Sequence, residues 1–304
     1  MLSIEVKNLS KHYGNLKAVD NISFEIHEGE IFGILGPNGA GKTTTLEIME
    51  GLRKADDGTI IIDNKRLDKD YNKIKEIIGV QLQSTSIYNK IKVEEALKLF
   101  GSYYKTSLDV DTVLETLSLT EKRKTYYINL SGGQKQRLSL GIAIINNPKI
   151  VFLDEPTAGV DPQARRNLWE IILKMKEEGR TVVITTHYME EAQYLCDRVA
   201  IMDMGRIIDI DSPQALIKKQ NLQSSIHFPM NGELLISDLH NIVGVIDVKI
   251  LNGKATLFTH DPIMTLTSLM DISKQKNCHL DHMMLKEPNL EDLFIELTGR
   301  DLRE

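Results

Sequence analysis

The stretch Ile31–Leu46, IFGILGPNGAGKTTTL, constrains this chain more than any other. Ile31 to Leu35 is a short apolar run of the kind that forms a strand buried on both faces. Gly36-Pro37-Asn38-Gly39-Ala40-Gly41-Lys42-Thr43 follows and matches the phosphate-binding pattern G-x-x-x-x-G-K-[ST] without a gap. Leu46, Met49, Glu50 and Leu52 then continue at helical spacing, so the turn opens a helix. Glycines let successive backbone N–H groups curl inward where side chains would block a polyphosphate. The helix N-terminus adds unpaired donors and the positive end of a dipole. Lys42 offers a point charge for the β- and γ-phosphates, the Thr43 hydroxyl suits Mg²⁺, and Thr44 joins the same phosphate-binding set. A chain of this length with ordinary composition matches the pattern by accident about one time in a hundred. Nucleotide binding is the expectation from this stretch alone.

Length and composition narrow the class. At 304 residues there is room for one large domain and a small one. The net charge of −6 lacks the basic excess of a nucleic-acid binder, so no nucleic-acid partner is expected. Only Cys196 and Cys278 occur, without metal or redox spacing, which fits a reducing cytosol. The opening residues MLSIEVKNLSKHYG have no apolar core for a signal peptide, and no run approaches the ~18 apolar residues of a membrane span. Any membrane role is therefore expected to pass through a partner.

Along the chain, Ser3–Val6 and Ile22–Ile26 alternate as half-buried antiparallel strands, with Lys11-His12-Tyr13-Gly14 between them. Read alone, Tyr13 is a surface or core aromatic. Asp56-Asp57-Gly58 signals a turn before a strand Thr59–Ile62, and Ile77–Leu82 is a strand ending at Gln83. From about 84 to 145 the periodicity becomes helical, a helical insertion into an α/β sheet. It closes on Leu130-Ser131-Gly132-Gly133-Gln134, where Ser131 is a natural N-cap and the paired glycines admit a ligand to a helix N-terminus. Ile150–Leu153 is a buried strand running into Asp154-Glu155, two acids where α/β sheets bind ligands. In a phosphate-loop protein one acid serves Mg²⁺ and the other the attacking water. Ala158 to Pro162 turns into the next helix, Thr181–Thr185 is a strand with His187 beyond it, and Val199–Met202 with Ile207–Ile210 form a hairpin around Met204-Gly205.

Polar residues Lys218 to Ser225 read as a linker to a small unit. There Asn252-Gly253 is the strongest hairpin signal, Asp261-Pro262 starts a helix to about Lys276, and Asn289 caps a last helix ending at Gly299. The order βαββαβ, with strands at Ser224–Phe228, Val245–Leu251, Ala255–Phe258 and Leu280–Leu285, predicts a ferredoxin-like unit. Cys278, His279, Asp281 and His282 have metal-ligand chemistry, but on a strand they point to opposite faces and no site is expected.

Lys42, Gln83, Leu130 to Gln134, Asp154-Glu155 and His187, in this order, resemble the nucleotide-binding subunit of ABC transporters over roughly Met1 to Lys218. The resemblance implies an α/β P-loop ATPase core with an antiparallel β subdomain and a helical subdomain, and ATP and Mg²⁺ as cofactors. GPNGAGKT would be the Walker A loop and IVFLDE the Walker B strand, with Tyr13 stacking on adenine. It implies that Thr43, Gln83 and Asp154 hold Mg²⁺, that Glu155 is the general base, and that Lys42 and His187 act on the γ-phosphate. Asp161 would lie at a dimer interface, its flanking Ala158-Gly159-Val160 replacing the Ser-Ala-Leu of many members. Ser131, Gly133 and Gln134 would close over ATP held by a second ATPase subunit. With the polar linker the chain divides into 1–218, a linker 219–225 and a small α+β domain 226–304, and this last unit is similar to the appendage of export-type members. It implies integral membrane permease subunits as partners and a cytoplasmic position on the inner face of the membrane. The alternative is a soluble ABC ATPase acting on nucleic acid or the ribosome. Those usually carry two cassettes or a coiled-coil insertion, and neither is present.

Overall fold

The computed structural model describes residues 1–83, 86–230, 234–276, 278, 280 and 282–298. By internal contacts the chain divides after Pro213 into two compact units. The larger begins with β1 (Leu2–Tyr13) and β2 (Leu16–His27), followed by β3 (Ile31–Leu35), α1 (Lys42–Met49), β4 (Asp57–Ile62), β5 (Lys65–Arg66), α2 (Leu67–Ile74) and β6 (Ile78–Gln81). Next come α3 (Val93–Gly101), α4 (Val110–Thr116) and α5 (Gly132–Ile144), then β7 (Ile150–Asp154), α6 (Pro162–Glu177), β8 (Thr181–Thr186) and α7 (Met189–Leu195). It ends on β9 (Arg198–Asp203) and β10 (Arg206–Asp211), and α8 (Pro213–Lys219) starts at the boundary.

Two sheets carry this unit. One is antiparallel in the order β2-β1-β4-β5, the other runs β10-β9-β3-β8-β7-β6 with all but β10 parallel. β3, β7 and β8 are buried at every position, which explains the apolar runs Ile31–Leu35 and Ile150–Leu153, while β8 buries three threonines beside Val182, Val183 and Ile184. The core between the sheets joins Ile4, Val6 and Ile26 to Ile34, Phe152 and Val183, and Phe24 stacks on Phe32 at 5.5 Å between centroids. Each such side chain contributes about 1.5–3 kcal/mol by leaving water.

Several elements differ from the sequence expectation. β1 continues past Val6 to Tyr13, through Asn8 at φ 50° and several register shifts against β2. The bulges break the period-2 signal, so the first hairpin turns at Gly14 rather than over a longer loop. Gly58 is not in a turn but inside β4, where at φ 101° a Cβ would lie 2.7 Å from Asn8 O and Leu9 Cα. The helical region has α3, α4 and α5 as expected, its predicted start at Ser84 lying outside the described residues.

α5 starts as the sequence predicts. Ser131 Oγ accepts the Gln134 N–H at 3.3 Å, and Gln134 Oε1 accepts the Ser131 N–H at 3.0 Å, a reciprocal capping box. Its two glycines differ in surroundings. A Cβ on Gly133 would sit 2.7 Å from the Ala164 Cβ of α6, while one on Gly132 meets nothing within 4 Å. Gly133→Ala is therefore expected to cost about 1–3 kcal/mol of stability by overpacking, with Gly132→Ala within about 1 kcal/mol of the unsubstituted chain. Urea-unfolding midpoints of the two variants measure the difference.

The smaller unit contains β11 (Ser224–Pro229), α9 (Ile236–His240), β12 (Val245–Leu251), β13 (Lys254–Thr259), α10 (Pro262–Gln275), β14 (Met284–Lys286) and α11 (Leu290–Thr298). Its antiparallel sheet has the order β12-β13-β11-β14, the split βαββαβ arrangement. Asn252 and Gly253 both have positive φ, at 52° and 74°, as a tight type I′ hairpin requires. Asp261 and Asn289 cap α10 and α11 by accepting N–H groups of Met264 and of Glu291 and Asp292. Ile226, Phe228, Leu257 and Leu269 fill a separate core. The expected linker is shorter than its polarity implies, because α8 runs to Lys219 and β11 starts at Ser224. The last strand is also shorter than Leu280–Leu285. Asp281, His279 and the helix end at Gly299 lie outside the described residues.

Candidate nucleotide site

Strand order brings the sequence motifs to one edge. β3, β8, β7 and β6 are successive neighbours, with Leu35 opposite Thr186, Asp154 opposite Thr185, and Gln81 opposite Leu153. The residues that follow their carboxyl ends are the loop Gly36–Gly41, His187, Glu155 and Gln83, all on the same side of the sheet.

The loop is shaped by close backbone approaches. A Cβ on Gly36 would lie 2.1 Å from Met202 O, and one on Gly41, at φ 104°, 2.2 Å from Ala18 O. No side chain fits at either position. α1 begins at Lys42, and its first internal bond is Thr45 N–H to Gly41 O at 2.9 Å. The N–H groups of Lys42, Thr43 and Thr44 thus belong to a first turn that has no carbonyl of its own to meet. Lys42 curls back, and its Nζ donates to Gly36 O at 2.8 Å and Pro37 O at 3.0 Å. Burial lowers the pKa of Lys42, while the nearby charges of Glu155 and Asp154 oppose that shift.

The acids sit beside it. Asp154 ends β7 and accepts hydrogen bonds from the hydroxyls of Thr43, at 3.3 Å, and Thr185. Burial pushes its carboxyl above the ordinary value, and those two hydroxyls oppose the shift. Glu155 has φ +47°, a left-handed conformation that turns the chain sharply off the strand. Its N–H donates to Thr185 O and Oγ1, both at 3.1 Å. The carboxylate meets three groups: Gln83 Nε2 at 3.3 Å, His187 Nδ1 at 3.1 Å and Lys42 Nζ at 3.8 Å. An ionised carboxylate only accepts, so the proton of a neutral His187 is on Nδ1 and its Nε2 is an acceptor.

The structure thus gathers Lys42, Thr43, Gln83, Asp154, Glu155 and His187. The other sequence candidates lie apart in the bonding. Ser131 and Gln134 bond to each other, and among the described residues no hydrogen bond joins them to the Lys42 cluster. Asp161 caps α6 through the Ala164 N–H at 2.9 Å. The exposed Tyr13 ring carries Arg53 at 5.4 Å and Lys11 at 5.7 Å from its centroid. Asp154 and the Thr43 hydroxyl form a pair of hard oxygen donors beside the loop, which fits Mg²⁺, an ion that takes few protein ligands and completes its shell with phosphates and water. Gln83 is turned to Glu155 here rather than to that pair.

Two features were not expected. Thr185 ties Asp154 and the Glu155 backbone together, yet in TVVITT it reads only as a strand residue. Glu50, one residue past α1, is 1% exposed, and neither carboxyl oxygen has a hydrogen-bond partner among the described residues. Burial, aided by the charges of Asp154 and Glu47, raises its pKa from 4.5 to about 8. The folded state therefore binds a proton that the unfolded chain releases above about pH 4.5. Stability from this group is full below that pH and is lost as pH rises to about 8, on the order of 5 kcal/mol in all. Glu50→Gln, neutral at every pH, should flatten the fall in Tm between pH 5 and 8, read by thermal melts across that range.

A phosphate loop opening a helix, beside two acids at the end of β7, the next parallel strand but one from β3, defines a nucleotide-binding α/β ATPase. The ABC transporter family model matches residues 19–158. LnrL, a linearmycin resistance ATP-binding protein of Bacillus subtilis, is 35% identical over 310 residues, covering 99% of this chain and 100% of that protein. Nod factor export ATP-binding protein I of Sinorhizobium fredii is 34% identical, covering 100% of this chain and 88% of that protein. Among solved structures, the ADP conformation of MJ1267, an ATP-binding cassette of an ABC transporter, is 28% identical with a TM-score of 0.64 over 71% of this chain and 92% of that one. The dimeric, post-hydrolysis cassette MJ0796 bound to ADP and Pi is 27% identical with a TM-score of 0.62, covering 69% of this chain and 98% of that one. The chain belongs to the ABC transporter family, as one of its ATP-binding, ATP-hydrolysing subunits.

Proposed function

We propose that two ATPase subunits hold MgATP between them and that its hydrolysis drives export through a separate membrane permease. The observation that carries this reading is the gathering of Lys42, Gln83, Asp154, Glu155 and His187 at one sheet edge, with the side-chain bonds of the Ser131–Gln134 helix end, among the described residues, made within itself. The export sense is supported by the names of the Nod factor and linearmycin relatives.

In this reading Gly36 to Thr44 cradle the polyphosphate, and Lys42 leaves its loop carbonyls for the β- and γ-phosphates. Thr43, Asp154 and Gln83 would hold Mg²⁺, which would neutralise charge on the phosphate oxygens. Glu155 accepts a proton from water as its oxygen bonds to the γ-phosphorus, the bond to the β–γ bridging oxygen breaks, and ADP and phosphate leave. His187 orients the γ-phosphate, and release of Gln83 from Glu155 frees the base. Tyr13 offers its exposed ring to adenine. Ser131, Gly133 and Gln134 turn the donors of the α5 N-terminus toward the nucleotide of the other subunit, across an interface that also contains Asp161.

The ATPase unit, with the helical subdomain about 84–145, runs to the boundary after Pro213, and the unit that follows is an appendage entered through α8 and the short segment 220–223. Among the described residues no helix is long and apolar enough to cross a membrane, so the permease supplies the spans and keeps the chain at the inner face. The tagged chain, purified from detergent-solubilised membranes of its own cell, is expected to bring down an integral membrane protein in stoichiometric amount. Recovery with RNA or ribosomes and without a membrane protein would replace this reading.

A further inference from the structure

The outer strand of the small unit is built to pair with itself. β12, Val245-Ile246-Asp247-Val248-Lys249-Ile250-Leu251, is an edge strand, bonded among the described residues to β13 on one side only. It is seven residues long, against three for β14 at the opposite edge. Its apolar side chains are open to solvent: Ile246 is 47%, Ile250 37% and Leu251 74% exposed. Such an edge is a template for a further strand unless something blocks it.

The order of residues names the strand that fits. With Val248 opposite Val248 of a second copy, running antiparallel, Asp247 meets Lys249, twice, in the regular part of the strand; Val245 and Ile246 lie at a bulge against β13 and fall outside this ladder. Cross-strand partners share a face, and opposite charges directly across a ladder attract. The charges also choose the register. A slip of two residues one way sets Lys249 against Lys249, and the other way sets Asp247 against Asp247. Both slips put like charges in contact, so only the pairing centred on Val248 satisfies the strand.

The second face of the sheet supports this geometry. Asp247 pairs with Phe258 and Lys249 with Thr256 in the β12–β13 register, so both charges leave the core side, where Val248 and Ile250 pair with Leu257 and Ala255. The Lys249 ammonium lies 5.1 Å from the Phe258 centroid and is exposed. Asp247 Oδ1 accepts the Val248 N–H at 2.9 Å, a solvent-exposed bond that pairing exchanges for Lys249 of the other copy.

We propose that β12 is a homotypic docking edge, through which two copies of this chain join their small-unit sheets about a two-fold axis at Val248. This surface is separate from the nucleotide site, and the proposal stands whether or not ATP is closed between two subunits.

Cysteine capture in the full chain, without nucleotide, tests it. Directly opposed Cα atoms in an antiparallel pair lie about 4.5–5.5 Å apart, within disulfide reach. Native Cys196 and Cys278 are buried, and the unsubstituted chain sets the background. Asp247→Cys alone and Lys249→Cys alone should stay near background on mild oxidation, because neither faces its own copy. Their equimolar mixture should give a cross-linked dimer several-fold above either. Equal cross-linking in the single variants and the mixture, or none in the mixture, overturns the proposal. A charge exchange gives the second readout, by sedimentation over a concentration series. Asp247→Lys should weaken self-association roughly tenfold or more, and Asp247→Lys with Lys249→Asp together should restore it. An unchanged single variant, an unsubstituted chain that is monomeric throughout, or a double variant no tighter than the single would also overturn it.

Discussion

Glu155→Gln is expected to retain ATP and lose ATP turnover by a factor of about 10²–10⁴. The substitution keeps the shape of a side chain that is 8% exposed and meets Gln83, His187 and Lys42. It removes the capacity to take a proton from water. In the proposed reading binding rests on other atoms, the N–H groups after Gly41 and the Lys42 ammonium, and those are untouched. Lys42→Ala should fail in the opposite way, losing much of the binding itself. Phosphate release under saturating ATP, beside equilibrium binding of a labelled nucleotide, separates the two. A Glu155→Gln protein hydrolysing ATP at the unsubstituted rate would remove Glu155 from the role of base. Loss of binding as well would mean that the 3.1 Å contact with His187 holds the site together rather than activating water.

How much of this site can be read in the sequence depends on where each constraint acts. The phosphate loop is legible because its glycines answer local demands of backbone and space, as Gly36 against Met202 O and Gly41 against Ala18 O make plain. Caps are legible for the same reason: Ser131, Asp261 and Asn289 each bond to an N–H two or three residues away. Thr185 and Glu50 are not, because their meaning comes from strands and charges distant along the chain. The acid at position 50 sits where helical periodicity calls for burial, and the sequence carries no mark of its raised pKa. α2 carries no helical signal in the sequence. It buries Ile74 alone and its DKDYNK surface has the composition of a loop. β1 lost its signal where bulges interrupt the alternation.

Mixing two damaged chains should restore nucleotide trapping, and this is the sharpest expectation for a shared site. One chain carries Lys42→Ala, which removes the ammonium beside the loop. The other carries Ser131→Arg, which destroys the capping box with Gln134 and sets bulk and charge at the α5 N-terminus. Either homodimer has both sites damaged. In the heterodimer one site combines the two lesions, while the other joins an intact loop to an intact helix end. Closure between subunits therefore predicts trapped nucleotide in up to half the sites, against almost none in either parent. Closure within one chain leaves every site with one lesion, and mixing then restores nothing. Glu155→Gln in both chains prevents turnover, so the measurement is nucleotide retained per purified, doubly tagged heterodimer. Retention is the better quantity because hydrolysis can require both sites at once. A verified heterodimer without trapped nucleotide would end the shared-site reading and leave the Ser131–Gln134 helix end with the capping role its bonds already describe.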